Sequence, residues 1–327
     1  MKAIGVHGDK KNPVLLWEDV ADIDYGPDEV LVDVRATAVN RADLSQARGS
    51  YPPPPGASEI LGLEMAGVIS EVGQRVEGWR PGDRVMALLP GGGYAERAAV
   101  PAGMLLRLPD GWSFAQGAAV PEVWYTAYIN LFDEGQLQAG ETVLIHAGAS
   151  GVGTAAIQLA VDAGARAIAT VGSPDKAAFC RELGASTINY KEDDFLAQAM
   201  GATNGQGVDV ILDPVGGSYL SRNIEALRRF GRLVNIGLLG GPMGELNMGQ
   251  LLGKRLHIVG STLRTRPLAE KVAITRRFEA EILPKLADGR LRPILDTRFP
   301  ITEAQAAHEY VRANRNIGKV LLNVSND

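Results

Sequence analysis

Thr142-Val-Leu-Ile-His-Ala-Gly-Ala-Ser-Gly-Val-Gly153 runs from a β-branched apolar stretch into a turn of small residues. A helical pattern follows at once, Thr154-Ala-Ala-Ile-Gln-Leu-Ala160. Strand, tight turn and helix N-terminus in that order cradle a pyrophosphate. Small side chains let the backbone approach the phosphates, and the N–H groups of the first helical turn point at them. A second apolar run, Ala165-Arg-Ala-Ile-Ala-Thr-Val171, completes a strand–helix–strand unit of about 30 residues. Read as a G-x-G-x-x-G fingerprint, the turn is Gly148, Ser150 and Gly153, with serine in the middle place. A glycine-rich turn alone is a weak signal. Framed by strand, helix and second strand, it marks a dinucleotide-binding fold.

The same unit indicates which dinucleotide. An NAD site usually carries Asp or Glu about 20 residues past the glycines, where it holds the ribose 2′-hydroxyl. Here the second strand ends in Gly172-Ser173-Pro174-Asp175-Lys176. No carboxylate stands at the strand end itself. Ser173 can donate a hydrogen bond to a 2′-phosphate and Lys176 can supply a cation, which points to NADPH. These residues also read as a helix start, with Ser173 as N-cap, Pro174 at the first helical position and Asp175 in the first turn. Both readings hold together, since a capped helix start is itself an anion site. Asp175 in the ribose-binding role of an NAD protein is the alternative.

The chain has 327 residues, enough for two domains. Its 46% hydrophobic and 22% charged residues suit a globular protein, and a net charge of −5 argues against an extended nucleic-acid surface. No apolar run reaches the ~18–20 residues that a bilayer span needs. Met1-Lys-Ala-Ile-Gly-Val6 enters a strand pattern directly and leaves no room for a signal peptide. The one cysteine, Cys180, excludes an internal disulfide and reads as a buried thiol within the helical stretch Lys176 to Leu183. The expected location is the cytoplasm, with neither nucleic-acid nor membrane partners.

The first third is rich in short strands and turn residues. Val30-Leu-Val-Asp-Val-Arg-Ala36 and Gly67-Val-Ile-Ser-Glu-Val72 alternate apolar and polar residues, and Pro81-Gly-Asp83 and Pro90-Gly-Gly-Gly93 are turn clusters. A small β-barrel-like domain is expected. From about Glu122 the pattern changes to strands alternating with helices. Candidate strands are Thr142–Gly148, Ala165–Gly172, Thr187–Tyr190, Val208–Asp213, Gly231–Leu238 and His257–Thr262. They fit an α/β doubly wound parallel sheet of Rossmann type. A long helix (about Ala269 to Asp288), a shorter one (Thr302 to Asn314) and a strand, Lys319-Val-Leu-Leu-Asn323, follow.

A nicotinamide ring needs a second wall, which the first domain must supply. The candidates are Asn40-Arg-Ala-Asp43 and Tyr51-Pro-Pro-Pro-Pro-Gly56. The proline run favours a stiff, extended backbone and restrains the preceding Tyr51, so a phenol is held at low entropic cost or simply packs on the prolines.

These segments together resemble the medium-chain dehydrogenase/reductase superfamily, in its zinc-free, zeta-crystallin-like quinone oxidoreductase branch and near its tumour-suppressor-induced members. The resemblance spans nearly the whole chain. It includes Asn40-Arg-Ala-Asp-Leu44, Tyr51 to Gly56, Ile60-Leu-Gly-Leu-Glu64, Ala87-Leu-Leu-Pro-Gly-Gly-Gly93, His146 to Gln158, Asn189-Tyr190, Ile211-Leu-Asp213 and Asn316-Ile-Gly-Lys319. It implies a GroES-like β-barrel catalytic domain, residues 1–122 and 262–327, with an NADPH-binding Rossmann domain, residues 123–261, inserted. It also implies a homodimer. Carried over residue by residue, it implies NADPH contacts at Asn40, Tyr51, Thr126, Gly151, Val152, Ser173, Lys176, Tyr190, Ile236, Gly237, Leu238, Leu239, Leu263 and Asn316, with Ser150 and Gly172 beside them. Tyr51 and Ser150 are the candidate catalytic residues, Tyr51 steadying charge on an acceptor oxygen and Ser150 positioning the cofactor.

Zinc-dependent members of the superfamily hold a catalytic metal with cysteines and a histidine. Here the corresponding places read Asn40, Gly62-Leu63-Glu64 and Glu122-Val123, and His7, His146, His257 and His308 show no ligand spacing. Glu64 and Glu122 without a soft ligand make a poor zinc site, so no metal is expected. A quinone needs little activation to accept hydride, which suits a site with few acid–base groups. NADPH:quinone reduction, by hydride or single-electron transfer, is therefore the leading reading, with a quinone or other small electrophile as partner. Reduction of an enone or enoyl thioester is the alternative, with Arg264, Arg266 and Lys271 as the one basic cluster proposed for coenzyme A phosphates. A third reading is an NADPH-binding protein without catalysis.

Overall fold

A computed structural model describes residues 1–325. The chain forms two compact units, one made of Met1–Tyr125 with the residues from Leu263 onward, the other of Thr126–Thr262. The first unit begins with β1 (Lys2–Asp9), β2 (Asn12–Asp19), β3 (Glu29–Val39), β4 (Glu64–Val72), β5 (Arg84–Leu88), β6 (Arg97–Pro101) and β7 (Leu105–Arg107). The second unit contains β8 (Thr142–Ile145), β9 (Arg166–Val171), β10 (Ser186–Asn189), β11 (Val208–Asp213), β12 (Leu227–Asn235) and β13 (His257–Gly260). The chain returns to the first unit with β14 (Leu295–Pro300) and β15 (Lys319–Asn323).

In the first unit β1 and β2 form a hairpin, and seven strands form a sheet in the order β14-β15-β3-β4-β5-β7, with β6 also on β3. The barrel expected of this domain is thus a seven-stranded sheet whose backbone ladder, among the described residues, runs as an open path. The long β3 shares one edge between two strands, β6 along Glu29–Asp33 and β15 along residues 36–39. Its alternating sequence suggests a half-buried strand, yet most of it is buried, because helices Phe114–Ala118 and Ala304–Arg312 both pack on it. Ile4, Leu15, Leu44, Leu61, Tyr94, Val311 and Leu322 belong to one core cluster here.

The second unit is a six-stranded parallel sheet in the order β10-β9-β8-β11-β12-β13, the doubly wound order whose direction reverses beside the first strand. Strands β8 and β11 are buried at every residue, as their unbroken apolar runs require. β12 begins earlier than its apolar pattern, at Leu227, because Arg228–Gly231 bulge out of register before the ladder resumes at Arg232. It also ends earlier, at Asn235: Ile236 N–H turns to the Asp213 carbonyl and Leu239 N–H to that of Pro214.

The long helix expected after residue 269 breaks at Ile282 into Leu268–Glu281 and Leu283–Ala287, where Pro284 supplies no backbone donor. Among the described residues no helix is long and apolar enough to cross a membrane.

Candidate active site

In the second unit, the residues read from the sequence as cofactor contacts follow the C-terminal ends of the parallel strands. Ser150, Gly151 and Val152 follow β8, Gly172, Ser173 and Lys176 follow β9, Tyr190 follows β10, and Ile236–Leu239 follow β12. Ligands of doubly wound sheets bind at this carboxyl edge, where the strand order reverses.

The turn after β8 is built for close approach. Ala147 takes a left-handed conformation, φ 55°. A Cβ on Gly148 would stand 2.6 Å from that of Ala169, and one on Gly153 would stand 2.4 Å from the Ala147 carbonyl oxygen. Ser150 is the N-cap of helix Gly151–Asp162, its Oγ accepting from Gly153 N–H at 3.0 Å. Capping accounts for serine in the middle place of the fingerprint. The N–H groups of Gly151 and Val152, in the first turn, have no intrahelical acceptor, as at any helix start.

After β9, Ser173 caps helix Pro174–Glu182 by accepting from Lys176 N–H at 3.4 Å, with Pro174 opening the helix. A Cβ on Gly172 would lie 2.6 Å from the Tyr190 hydroxyl, so the glycine lets that ring lie against the strand end. Asp175 is exposed and Lys176 is partly buried. Leu238 and Leu239 stand exposed in the turn after β12. Thr126 lies at the start of the unit, its carbonyl accepting from the Asn130 amide.

In the first unit, a buried polar network gathers residues that lie far apart in sequence. The register of β15 on β3 sets Lys319 across from Asn40, and that of β4 on β3 brings Glu64 alongside Ala38. The Lys319 ammonium donates to Asn40 Oδ1 at 2.6 Å, to the Val39 carbonyl at 3.1 Å, and pairs with Glu64 Oε1 at 2.8 Å. All three of its protons are used, and the Lys319 and Glu64 side chains are 3% and 0% exposed. Asn40 Nδ2 donates to Glu64 Oε1, and Glu64 Oε2 accepts from Glu122 N–H at 2.9 Å. Asp43 accepts from the N–H groups of Asn40 and Gly62 and faces the Tyr94 hydroxyl, which reaches His308 Nε2 at 3.1 Å.

Burial shapes the charge states in this network. It pushes the Glu122 carboxyl up to about 8, with Glu64 adding to the rise and Lys319 opposing it. It pushes Asp43 up to about 6 against the N–H donors and Lys319, and pushes His308 down to about 3. Tyr51 is raised by burial and by Glu122, so its phenol keeps its proton at neutral pH. The buried guanidinium of Arg264 lies 5.3 Å from the centre of the Tyr51 ring and is anchored by the carbonyls of Pro90 and Tyr51 and by Gln46 Oε1.

The structure therefore gathers Tyr51, Arg264, Glu122, Glu64, Asn40 and Lys319 in one unit. Sequence reasoning read Asn40 as a cofactor contact, but both ends of its amide are held inside this network. It passed over Lys319 as a participant. The available signal was a lysine opening an otherwise apolar strand, Lys319-Val-Leu-Leu-Asn323. Leu263 is buried, and the Asn316 amide donates to the Gly318 carbonyl.

Residues 26–110 match the alcohol dehydrogenase GroES-like domain and residues 151–277 the zinc-binding dehydrogenase family. The chain is 35% identical over 315 residues to a quinone oxidoreductase of Pseudomonas aeruginosa, covering 94% of this chain and 95% of that one. Its structure is similar to Escherichia coli quinone oxidoreductase complexed with NADPH, with a TM-score of 0.88 at 30% identity over 99% of this chain and 100% of that one. It is also similar to the CurK enoyl reductase, with a TM-score of 0.86 at 30% identity and 98% of each chain covered.

The donor set does not fit the metal named in the second family description. Asn40 Oδ1 and Glu64 Oε1, which the resemblance sets at metal-ligand places, are both bound to the Lys319 ammonium, and a zinc ion there would meet that positive charge. Among the described residues no group of three or more His, Cys, Asp or Glu side chains is placed to hold a metal ion. Both family matches, a relative alike over almost its full length and the doubly wound sheet order agree, and the chain belongs to the medium-chain dehydrogenase/reductase superfamily of oxidoreductase enzymes.

Proposed function

We propose that this enzyme reduces quinones with NADPH and without a metal ion. The observation that carries the reading is the Lys319 ammonium bound to Asn40 and Glu64, the residues that the resemblance sets at metal-ligand places. With those donors taken, a carbonyl substrate would lack a Lewis acid, whereas a quinone is electrophilic enough by itself.

The residues fit the cofactor. Gly148 and Gly153 let the turn pack closely on β9 and on the helix that follows, and the capped start of that helix lies just past the carboxyl end of β8. In this reading Gly151 and Val152 hold the pyrophosphate through their N–H groups, and Ser173 and Lys176 hold the 2′-phosphate. Gly172 and Tyr190 hold the adenosine. Ile236, Gly237, Leu238 and Leu239 approach the nicotinamide portion, with Thr126, Leu263 and Asn316 as further contacts. Ser150 positions this loop through its cap. When bound, NADPH supplies the hydride.

Tyr51, protonated and backed by the Arg264 cation, donates a hydrogen bond to the acceptor oxygen and steadies the charge that develops there. Tyr51→Phe is expected to lower kcat with 1,4-naphthoquinone roughly 10–100-fold, with the KM for NADPH unchanged within about twofold. Unchanged turnover would leave Tyr51 a wall of the pocket and nothing more.

Similarity to the CurK enoyl reductase favours a second reading, hydride delivery to a conjugated double bond. Turnover of 1,2- and 1,4-quinones but not of α,β-unsaturated ketones and thioesters supports the first reading, and the reverse supports the second.

A homodimer in the cytoplasm completes the proposal. Strand β13 is an open edge of the parallel sheet, with Ile258 exposed, and helix Met248–Lys254 contains no buried residue while Leu252 is 73% exposed. Such an edge is a template for a second copy of the chain. Sedimentation of the wild type should give a dimer and of Ile258→Lys a monomer; a monomeric wild type overturns this.

A further inference from the structure

His146 directly follows β8, at the start of the dinucleotide turn, and is 1% exposed. The rings of Phe195 and Tyr219 stand edge-on to it, each with its centre 4.9 Å away. Its two nitrogens meet Thr170 Oγ1 at 3.0 Å through Nδ1 and Asn223 Oδ1 at 2.8 Å through Nε2.

The chemistry of the partners fixes the direction of every bond. The Asp213 carboxylate only accepts, so Asn223 turns its Nδ2 toward Asp213 Oδ2, at 3.1 Å. Asn223 Oδ1 then faces His146, and Nε2 must carry the proton. In a neutral ring, the form that burial favours, Nδ1 is then bare and accepts from the Thr170 hydroxyl. Thr170 Oγ1 in turn accepts from Ala147 N–H at 3.3 Å. One chain of donors runs from the backbone of the dinucleotide turn to a buried carboxylate.

That carboxylate holds two more loops. Asp213 accepts from Val215 N–H at 2.7 Å and from Gly216 N–H at 3.1 Å, beyond β11. Asn235, closing β12, donates to Asp213 Oδ2 and to the Gly237 carbonyl at 3.1 Å. The relay thus links the loops after β8, β11 and β12. It also holds Ala147 in the left-handed conformation that folds the turn onto the helix start.

We propose that His146, in its Nε2–H tautomer, is a positioning residue for the dinucleotide site, setting the turn that holds the pyrophosphate and the Ile236–Leu239 segment through one unidirectional hydrogen-bond relay. The inference rests on the NADPH reading above for its effect on binding, but the relay itself is independent of any ligand. Burial lowers the histidine's affinity for a second proton, against the pull of Asp213, which agrees with a neutral ring.

Removing His146 outright risks the fold, so Thr170 is the better lever. Thr170→Val keeps the shape of β9 but deletes the hydroxyl that joins Ala147 to the imidazole. Thr170→Ser restores it. The valine variant should raise the Kd for NADPH about 5–20-fold, with kcat at saturating NADPH within about twofold of wild type, and the serine variant should bind within about twofold of wild type. Equal binding by wild type and Thr170→Val, or serine as weak as valine, overturns the inference. Amide hydrogen exchange at Ala147 in the ligand-free protein reads the relay directly. Protection in the wild type and serine variant, lost in the valine variant, supports it. An unprotected Ala147 in the wild type refutes it, even if NADPH binds. A protected relay in a protein that binds no NADPH would refute the cofactor reading and the positioning role while leaving the relay standing.

Discussion

Lys319→Met should lower stability by about 3–5 kcal/mol, the range for breaking a buried ion pair by removing one partner. The reason lies in what the ammonium leaves behind. Glu64 remains fully buried with its Oε1 facing only the Asn40 amide, and Asn40 Oδ1 loses its donor at 2.6 Å. An unpaired buried charge costs far more than the methylene packing that methionine retains. At about 2–4 °C per kcal/mol, the melting temperature should fall roughly 6–20 °C. Adding Glu64→Gln should recover a large part of the loss, because the pair is then removed from both sides. A single variant melting within about 2 °C of wild type would show that the network carries little energy.

The loss should also depend on pH. Asp43 and Glu122 are held at about 6 and about 8, above their ordinary values of 3.8 and 4.5, and Lys319 holds both lower than burial alone would. A carboxyl raised on folding contributes its stability fully below its unfolded pKa. That contribution is lost as pH climbs through the folded value, here about 6 and then about 8. Without Lys319 both groups rise further, and ionising them costs more. The deficit of Lys319→Met should therefore widen between about pH 5 and pH 9, as denaturant titrations at several pH values would read.

The contrast between the two units shows what a sequence exposes. The dinucleotide turn is local: strand, glycines, cap and helix lie within Thr142–Asp162, so each step leaves a mark in adjacent residues. Strands buried on both faces are equally plain, and Val208–Asp213 and Lys319–Asn323 have the bounds their apolar runs suggest. β12 was harder to bound, because its first turn of ladder passes through Arg228-Arg229-Phe230, whose charges hide a bulge. β14 left no clear apolar run, since half-buried and exposed positions alternate through Leu295–Pro300. The Lys319–Glu64–Asn40 network belongs to a different class. Its members come from β15, β4 and the end of β3, and only the register of that sheet brings them together. Glu64 and Glu122 were legible as carboxylates at the places of metal ligands, but the cation that satisfies Glu64 lies more than 250 positions along the chain.

Cofactor choice gives the second large effect. Lys176→Ala should raise the KM for NADPH about tenfold to a hundredfold and leave that for NADH nearly unchanged, since a charge-assisted hydrogen bond contributes roughly 1.5–3 kcal/mol. The structure places the residue in the first turn of helix Pro174–Glu182, whose cap is Ser173, and that turn directly follows β9. Helix start and ammonium both favour an anion there. Asp175, beside it, is the residue that could serve an unphosphorylated ribose instead, and it is exposed in the same turn. The two residues give opposite selectivities. If Lys176 governs, its loss narrows the preference for NADPH from one side only. If Asp175 governs, Lys176→Ala leaves the ratio of the two KM values untouched, and Asp175→Ala weakens NADH instead. Calorimetric titration of the wild type with both nucleotides sets the starting ratio, and equal affinities for NADPH and NADH would remove the phosphate from the argument.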